Sequence, residues 1–245
     1  MDTAATEVTD GHLLAGKVRF AQPRRGFRSS LEPVLLAAAI PARSGQRVLE
    51  GGSGAGATLL CLTARVGDIA CLGIERDPAA VEIARRNAAA NSWPHIEFRA
   101  ADVTALADCG LFDHACANPP YHITSGTPSP DASRRTAKQA DAETFVRWTT
   151  ALAHWLRPRG TLTFVLPPAA LPVAMRSFVA AGCAPTAALP FWPREGQPAR
   201  LLLLRGVKGS RAPFRLLAGK VLHASGGDFS PEAQQILREG AALEL

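Results

Sequence analysis

The sequence predicts an α/β fold, a mostly parallel sheet with helices on both faces. Three observations carry that reading. From residue 46 short β-rich runs alternate with helical stretches, a glycine-rich turn follows the first run, and acidic residues stand where the first three runs stop. Parallel strands need crossovers of one hand, which place their C-terminal ends along one edge of the sheet. Ligands of such sheets bind at that edge, beside the point where strand order reverses.

The elements follow in order. "QRVLE" reads as the first strand, and the apolar "ATLLCLTARV" behind its glycines as a helix. "IACLGIE" is the second strand, and "PAAVEIARRNAAAN" a helix with proline in its first turn. "HIEFRAAD" and "FDHACAN" are the third and fourth strands. "DAETFVRWTTALAHWL" carries Phe145, Trp148, Leu152 and Trp155 at spacings of three and four, a helical stripe for core packing. "GTLTFVLP" is a strand, "AALPVAMRSFVAAG" a helix closed by Gly182, and "ARLLLLRGVK" a final long strand. Before this core, "GKVRFAQPRRGFR" reads as a basic hairpin and "SLEPVLLAAA" as a helix; after it come a strand, a glycine turn and a short helix capped by Ser230. The expected organisation is a flexible N-terminus over 1–10 and one domain over 11–245. That domain divides into hairpin and helix (11–45), core (46–207) and C-terminal extension (208–245). "TSGTPSP" reads as a mobile loop.

Composition narrows the partners. The 245 residues are 47% hydrophobic, and the longest apolar stretch, "PVLLAAAIPA", is short of the roughly 20 residues of a membrane span. The first residues, "MDTAATEVTDG", lack the basic and apolar regions of a signal peptide. Five cysteines without a CxxC pair give no metal set and suit a reducing cytoplasm. The net charge of +6 is segregated: residues 11–47 carry seven Lys/Arg against one Glu, and residues 194–220 again seven against one. Two basic segments on an otherwise acidic chain suit a polyanion, and nucleic acid is the expected partner.

The strand ends carry the chemistry. Glu50 precedes Gly52, Gly54 and Gly56 in the first turn. Glycines let a ligand approach the main chain, while an acid at this position suits a cationic ligand and repels a pyrophosphate. Glu75 can accept both hydroxyls of a ribose, and Asp102 the exocyclic amine of an adenine. Asp77, before Pro78, reads as a helix cap. Together the three strand-end acids describe a site for an amine-bearing adenosine derivative.

At the fourth strand end stands Asn118-Pro119-Pro120-Tyr121. A planar NH2 group is a poor nucleophile because its lone pair is delocalised. The Asn118 side-chain oxygen and the Pro119 carbonyl can accept its two hydrogens and draw the nitrogen toward tetrahedral geometry. Tyr121 offers a ring face for stacking.

"VLEGGSGAG", "GIE", "AAD" and "NPPY", in this order, resemble the class I S-adenosylmethionine-dependent methyltransferases that act on exocyclic or amide nitrogens. The resemblance implies a Rossmann-like fold with a seven-stranded sheet. It implies S-adenosylmethionine as cofactor, held by Glu50, Gly52, Gly54, Gly56, Glu75, Asp102 and Asn118, and a target amine held by Asn118, Pro119 and Tyr121. The flanks "QPRRGFRSSLEPVLLAAAIPA" and "KGSRAPFRLLAGKVLHASGGDFSPEAQQILREG" look like the bacterial valine-tRNA adenine-N6-methyltransferase family. That resemblance implies tRNA as the partner and N6-methyladenosine as the product. The family commonly has Asp at the position of Glu32, and Asp rather than Glu is commoner at the position of Glu50.

Other classes stay open on the sequence. A release-factor glutamine methyltransferase shares the NPPY element but carries a substantial N-terminal helical domain, where 45 residues precede the first strand here. An rRNA guanine-N2 methyltransferase tolerates a similar motif, and a catalytically silent nucleic-acid-binding module would keep the fold alone. Arg24, Arg25 and Arg28 are the candidate RNA contacts; Arg134, Arg135 and Lys138 are either phosphate contacts or a solvated helix start. Amine methylation demands no general base, so His122 reads as an exposed loop histidine.

Overall fold

In the structure, a computed structural model, the residues described are 7–24, 30–119 and 132–245, the side chains of 132–142 excepted. The chain opens with an antiparallel hairpin, β1 (Val8–Leu13) and β2 (Val18–Pro23). Its first strand thus begins inside the stretch expected to be a flexible N-terminus, residues 1–10. The reversal runs through Leu14, Ala15 and Gly16, all at positive φ (50°, 51° and 98°), so two of its three left-handed positions are held by residues that do not announce a turn.

Helix α1 (Glu32–Ala39) follows, with Pro33 in its first turn and Pro33 to Ala39 all buried. Buried helix ends need partners for their last carbonyls. The Arg65 guanidinium donates to Ala37 O (3.0 Å) and Ile40 O (2.6 Å), Arg205 donates to Ala39 O, and the Leu243 amide donates to Ala38 O (2.8 Å).

Next come β3 (Arg47–Gly51), α2 (Ala57–Val66), β4 (Ala70–Glu75), α3 (Pro78–Ala90), β5 (Glu97–Ala100), β6 (Phe112–Ala117), α4 (Ala132–His154) and β7 (Leu156–Leu166). They are followed by α5 (Leu171–Ala180), β8 (Cys183–Trp192), β9 (Leu201–Lys208), β10 (Arg215–Leu216), β11 (Lys220–Val221) and α6 (Pro231–Gln234). The central sheet runs in the order β10-β8-β9-β7-β6-β3-β4-β5, with β11 also on β8. Only β9 opposes its neighbours β7 and β8; the other pairings are parallel.

Strand residues alternate between two cores, as the pleat requires. Val48, Cys116 and Val165 face the core built with α1, α2 and α3. Leu49, Ala115, Ala117 and Phe164 face the core built with α4 and α5. The expected helical stripe packs on this second core: Phe145 and Leu152 are buried in it, and Trp148 and Trp155 lie half-buried against it.

Among the described residues the sheet has nine strands where seven were expected. The two additions, β10 and β11, are two-residue strands of the C-terminal extension laid parallel on β8. Strand β8 itself escaped the sequence reading because it contains Pro185 and Pro190. Proline lacks an amide donor and belongs at bulges or edges. Pro185 sits at the register shift of the β8–β9 ladder, and Pro190 falls between the stretches paired by β10 and β11. Ser230 caps α6 as expected, its hydroxyl accepting from the Ala233 amide at 3.2 Å.

Candidate functional site

Strand order reverses between β3 and β6: from β3 the chain steps to β4 and β5, then crosses back to β6 on the other side. Register aligns the strand ends there. Gly51 pairs with both Ile74 and Ala117, and Glu75 pairs with Ala100. The residues that follow (Gly52, Asp102 and Asn118) therefore leave the sheet with Glu75 along one edge, the crevice where open α/β sheets bind ligands.

The turn after β3 is a built main-chain loop. Gly52 N and Ser53 N both donate to Ile74 O (2.8 and 3.1 Å), and Gly56 N donates to Ser53 O (2.8 Å). Gly52 has φ +69°, and a Cβ there would stand 2.8 Å from Trp148 Cη2. Gly56 has φ +89°, and a Cβ there would meet Phe98 Cζ at 2.8 Å. Side chains are excluded at both positions by conformation and by space. Gly54 faces open space, with nothing within 4 Å of a Cβ built on it.

Glu50 lies beneath this turn, 2% exposed. It projects on the α2 face with Val48. Burial pushes its carboxyl up to about 8; the hydrogen bond from Thr58 opposes the shift, and the nearby Glu75 adds to it. Oε2 of Glu50 has no hydrogen-bond partner. A buried carboxyl with an unmatched oxygen at a strand end is poised for a cation.

Glu75 is more occupied than a ribose acceptor needs to be. Its Oε2 accepts from Gly54 N (3.0 Å) and its Oε1 from Asp77 N (3.0 Å). A carboxylate has about four acceptor sites, so outward lone pairs remain. Asp77 caps α3, accepting from Ala79 N at 2.9 Å. Asp102 is exposed, and its Oδ1 accepts from both the hydroxyl and the amide of Thr104 (each 2.7 Å). Those bonds, with Arg147 and Arg76 nearby, hold its carboxyl below the usual range.

At the end of β6, Asn118 is half-buried and Pro119 buried. Tyr121, His122, Arg25, Arg28 and the "TSGTPSP" stretch lie outside the described residues, as do the side chains of Arg134, Arg135 and Lys138. Glu32 stands in the first turn of α1. Arg24 forms an exposed ion pair with Glu7 at 3.6 Å. Such surface pairs contribute little, leaving the guanidinium available to an anion.

The second basic segment is less free than its composition suggests. Arg205 is buried against the end of α1, and Lys208 Nζ donates to Ala153 O (2.8 Å) and His154 O (3.2 Å) at the end of α4 and to Leu156 O (2.7 Å) at the start of β7. These two charges complete helix C-termini.

Thr58 and Trp148 are site residues that sequence reasoning missed. Thr58 is the one hydroxyl in the first turn of α2, eight residues after Glu50; Trp148 reads in sequence as one more member of the core stripe. Among the described residues, no group of three or more His, Cys, Asp or Glu could hold a metal ion, and all five cysteines are buried and free. Among the same residues, no helix is long and apolar enough to cross a membrane.

Residues 33–168 match the family described as Methyltransferase small domain. A tRNA1(Val) (adenine(37)-N6)-methyltransferase of Actinobacillus succinogenes is 32% identical over 148 residues, covering 59% of this chain and 62% of that protein. A Bacteroides thetaiotaomicron protein of the same description is 32% identical over 136 residues, covering 55% and 57%. The chain thus spans about 60% of the length of these curated relatives. Among solved structures, an Agrobacterium tumefaciens protein described as a predicted O-methyltransferase superposes with a TM-score of 0.71 at 23% identity, covering 87% of this chain and 99% of that one. A Thermus thermophilus 16S rRNA methyltransferase in complex with AdoMet and guanosine gives a TM-score of 0.56 at 19% identity, covering 82% and 50%. The fold is that of Rossmann-like methyltransferases.

Proposed function

Because the chain belongs to the methyltransferase small domain family, we propose that it transfers a methyl group from S-adenosylmethionine to the N6 amine of an adenine in tRNA. The observation that carries this reading is that the buried, half-unpartnered Glu50 at the end of β3 and Asn118-Pro119 just past the end of β6 lie on neighbouring strand ends, at the reversal in strand order. The names of the relatives support tRNA as the acceptor, and the base as adenine. Such an enzyme works in the cytoplasm, where tRNA is.

The residues fit the cofactor on physical grounds. Glu50 supplies an uncompensated carboxyl for an ammonium group, Gly54 faces open space at the turn, and Glu75 and Asp102 keep outward lone pairs for ribose hydroxyls and an adenine amine. When bound, the cofactor supplies an electrophilic methyl group on a sulfonium. Asn118 Oδ1 and the Pro119 carbonyl accept the two hydrogens of the target amine and orient its nitrogen lone pair. Because the amine proton becomes acidic only as the new bond forms, it can then pass to solvent, and no strong base is required beforehand. Tyr121 stacks on the base, and rate comes mainly from positioning. Arg24, Arg25 and Arg28, on and beyond the hairpin, contact RNA phosphates. Their neutralisation lowers RNA affinity and flattens its salt dependence, by about 0.9 in log–log slope for each duplex phosphate that no longer meets a cation.

The test is to offer labelled S-adenosylmethionine with tRNA, rRNA and release factor in separate reactions, then digest the labelled product. Label in tRNA as N6-methyladenosine supports the reading. Label confined to a release-factor glutamine or an rRNA guanine overturns it.

A further inference from the structure

Two asparagines one helical turn apart, Asn87 on α3 and Asn91 at its C-cap, grip the main chain of the hairpin strand β2. Asn91 Oδ1 accepts from Arg19 N at 2.8 Å, and its Nδ2 donates to Arg19 O at 2.7 Å. Asn87 does the same for Ala21, accepting from its N and donating to its O, both at 2.8 Å. Two periodicities match here: four residues rise about 6 Å along a helix, and two residues about 6.6 Å along a strand. The helix therefore presents a two-rung ladder to β2, whose other neighbour is β1.

Asn87 reaches further. It is 2% exposed, and its amide nitrogen also donates to Ala55 O at 3.0 Å. Ala55 stands in the glycine turn, between Gly54, whose amide Glu75 holds, and Gly56, which opens α2. One buried side chain thus ties the cofactor turn to the hairpin, with both donors of its amide in use. Packing does not require this: α3 already buries Val81, Ile83, Ala84 and Ala88. On the hairpin side the same amide completes an edge: β1 takes one edge of β2, and Asn87 satisfies the main chain of buried Ala21 on the other. The amide is a polar link between the glycine turn and the second strand of the hairpin.

We infer that Asn87 couples occupancy of the glycine turn to the stiffness of the hairpin that leads into Arg24, Arg25 and Arg28, so that a bound cofactor orders the arm that meets the RNA. This rests on the methyltransferase reading for what fills the turn. A ligand lying on the main chain of residues 52–56 restricts the Ala55 carbonyl. That restriction passes through one rigid amide to Ala21, three residues before Arg24. Ordering that one ligand completes is ordering the second need not supply, which is positive coupling without a change of shape. Linkage makes it reciprocal: RNA on the arm tightens cofactor on the turn by the same factor.

Hydrogen exchange read by mass spectrometry tests the coupling without RNA. S-adenosylhomocysteine serves as the probe, with exchange followed in the peptide containing residues 18–23. In the wild type, saturating probe slows exchange there about fivefold or more, the lower end of ordinary coupling. Asn91→Ala, which removes the rung that does not touch the turn, speeds basal exchange but keeps the response to the probe. Asn87→Ala still binds the probe and loses the response. A wild-type hairpin whose exchange is unchanged by bound probe overturns the inference whether or not any variant folds. So does an Asn87→Ala protein that responds as the wild type does. Failure of the probe to bind the wild type at all overturns the methyltransferase reading, and the coupling falls with it.

Discussion

Glu75 Oε2 accepts the Gly54 amide proton at 3.0 Å, so the acid that ends β4 holds in shape the turn that ends β3. The same carboxylate accepts the Asp77 amide through Oε1. This gives Glu75 a structural task in addition to its expected one at the ribose.

Glu75→Ala should therefore destabilise the ligand-free protein by about 1–2 kcal/mol, because two amide donors lose their acceptor. Urea denaturation without ligand measures it. A residue that served only as a ribose acceptor would leave the ligand-free midpoint where it was.

Glu50 predicts a proton count. Its carboxyl is pushed up to about 8 by burial, so at pH 7 it is mostly protonated before ligand binds. A cationic group arriving at the strand end favours the ionised form, and the proton must leave. Calorimetry in buffers of different ionisation enthalpy should show close to one more proton released on S-adenosylhomocysteine binding by the wild type than by Glu50→Gln. The difference should fade above pH 8, where Glu50 is already ionised. Equal proton release by the two proteins at pH 7 contradicts the assignment.

Gly52 and Trp148 form a second testable pair. Alanine at Gly52 places its Cβ 2.8 Å from Trp148 Cη2 and must hold φ at +69°. Gly52→Ala should cost about 2–3 kcal/mol. In a Trp148→Leu background the clash is gone and about 1 kcal/mol of backbone strain remains. Denaturant midpoints of the four proteins in the cycle measure both terms.

His114 on β6 sets an acid limit. Its Nδ1 lies 2.8 Å from Thr161 Oγ1 and its Nε2 3.0 Å from Gln46 Oε1. Burial lowers its pKa from 6.5 to about 4; Asp113 opposes the shift and Arg205 adds to it. The unfolded chain thus binds the proton more readily than the folded one between those values. The stability present above pH 6.5 is lost as pH falls toward 4, by about 3 kcal/mol. Glu50 contributes with the opposite sign, losing stability as pH rises from 4.5 toward 8. The difference between wild type and His114→Gln across pH 4–6.5 therefore isolates the histidine.

Much of the core was legible because alternation and strand-end acids are local signals. Glu50, Glu75, Asp102 and Asn118 all lie at the sheet edge where the sequence places them. Strand β8 was not legible, since Pro185 and Pro190 read as breakers until a bulge and the gap between β10 and β11 are known to receive them. The start of the hairpin was hidden because its reversal puts Leu14 and Ala15 at positive φ ahead of Gly16, and only the glycine carries turn chemistry. Charge was the least faithful signal. Arg205 and Lys208 look like part of a polyanion-binding run, yet their carbonyl partners lie at the ends of α1 and α4, far away in sequence. Likewise a carboxylate at a strand end does not say in sequence whether it faces a ligand or a neighbouring amide; Glu75 has room for both.

The central claim is methyl transfer to adenine N6 at Asn118-Pro119. Its most direct test is nucleoside analysis by mass spectrometry of unmodified valine tRNA after incubation with S-adenosylmethionine and either the wild type or Asn118→Ala. The wild type should add one N6-methyladenosine per tRNA. Asn118→Ala should do so at least about 100-fold more slowly, the loss expected for one group acting on the reacting centre, with S-adenosylhomocysteine still bound. Methylation of another base, or transfer that survives Asn118→Ala undiminished, would contradict the account.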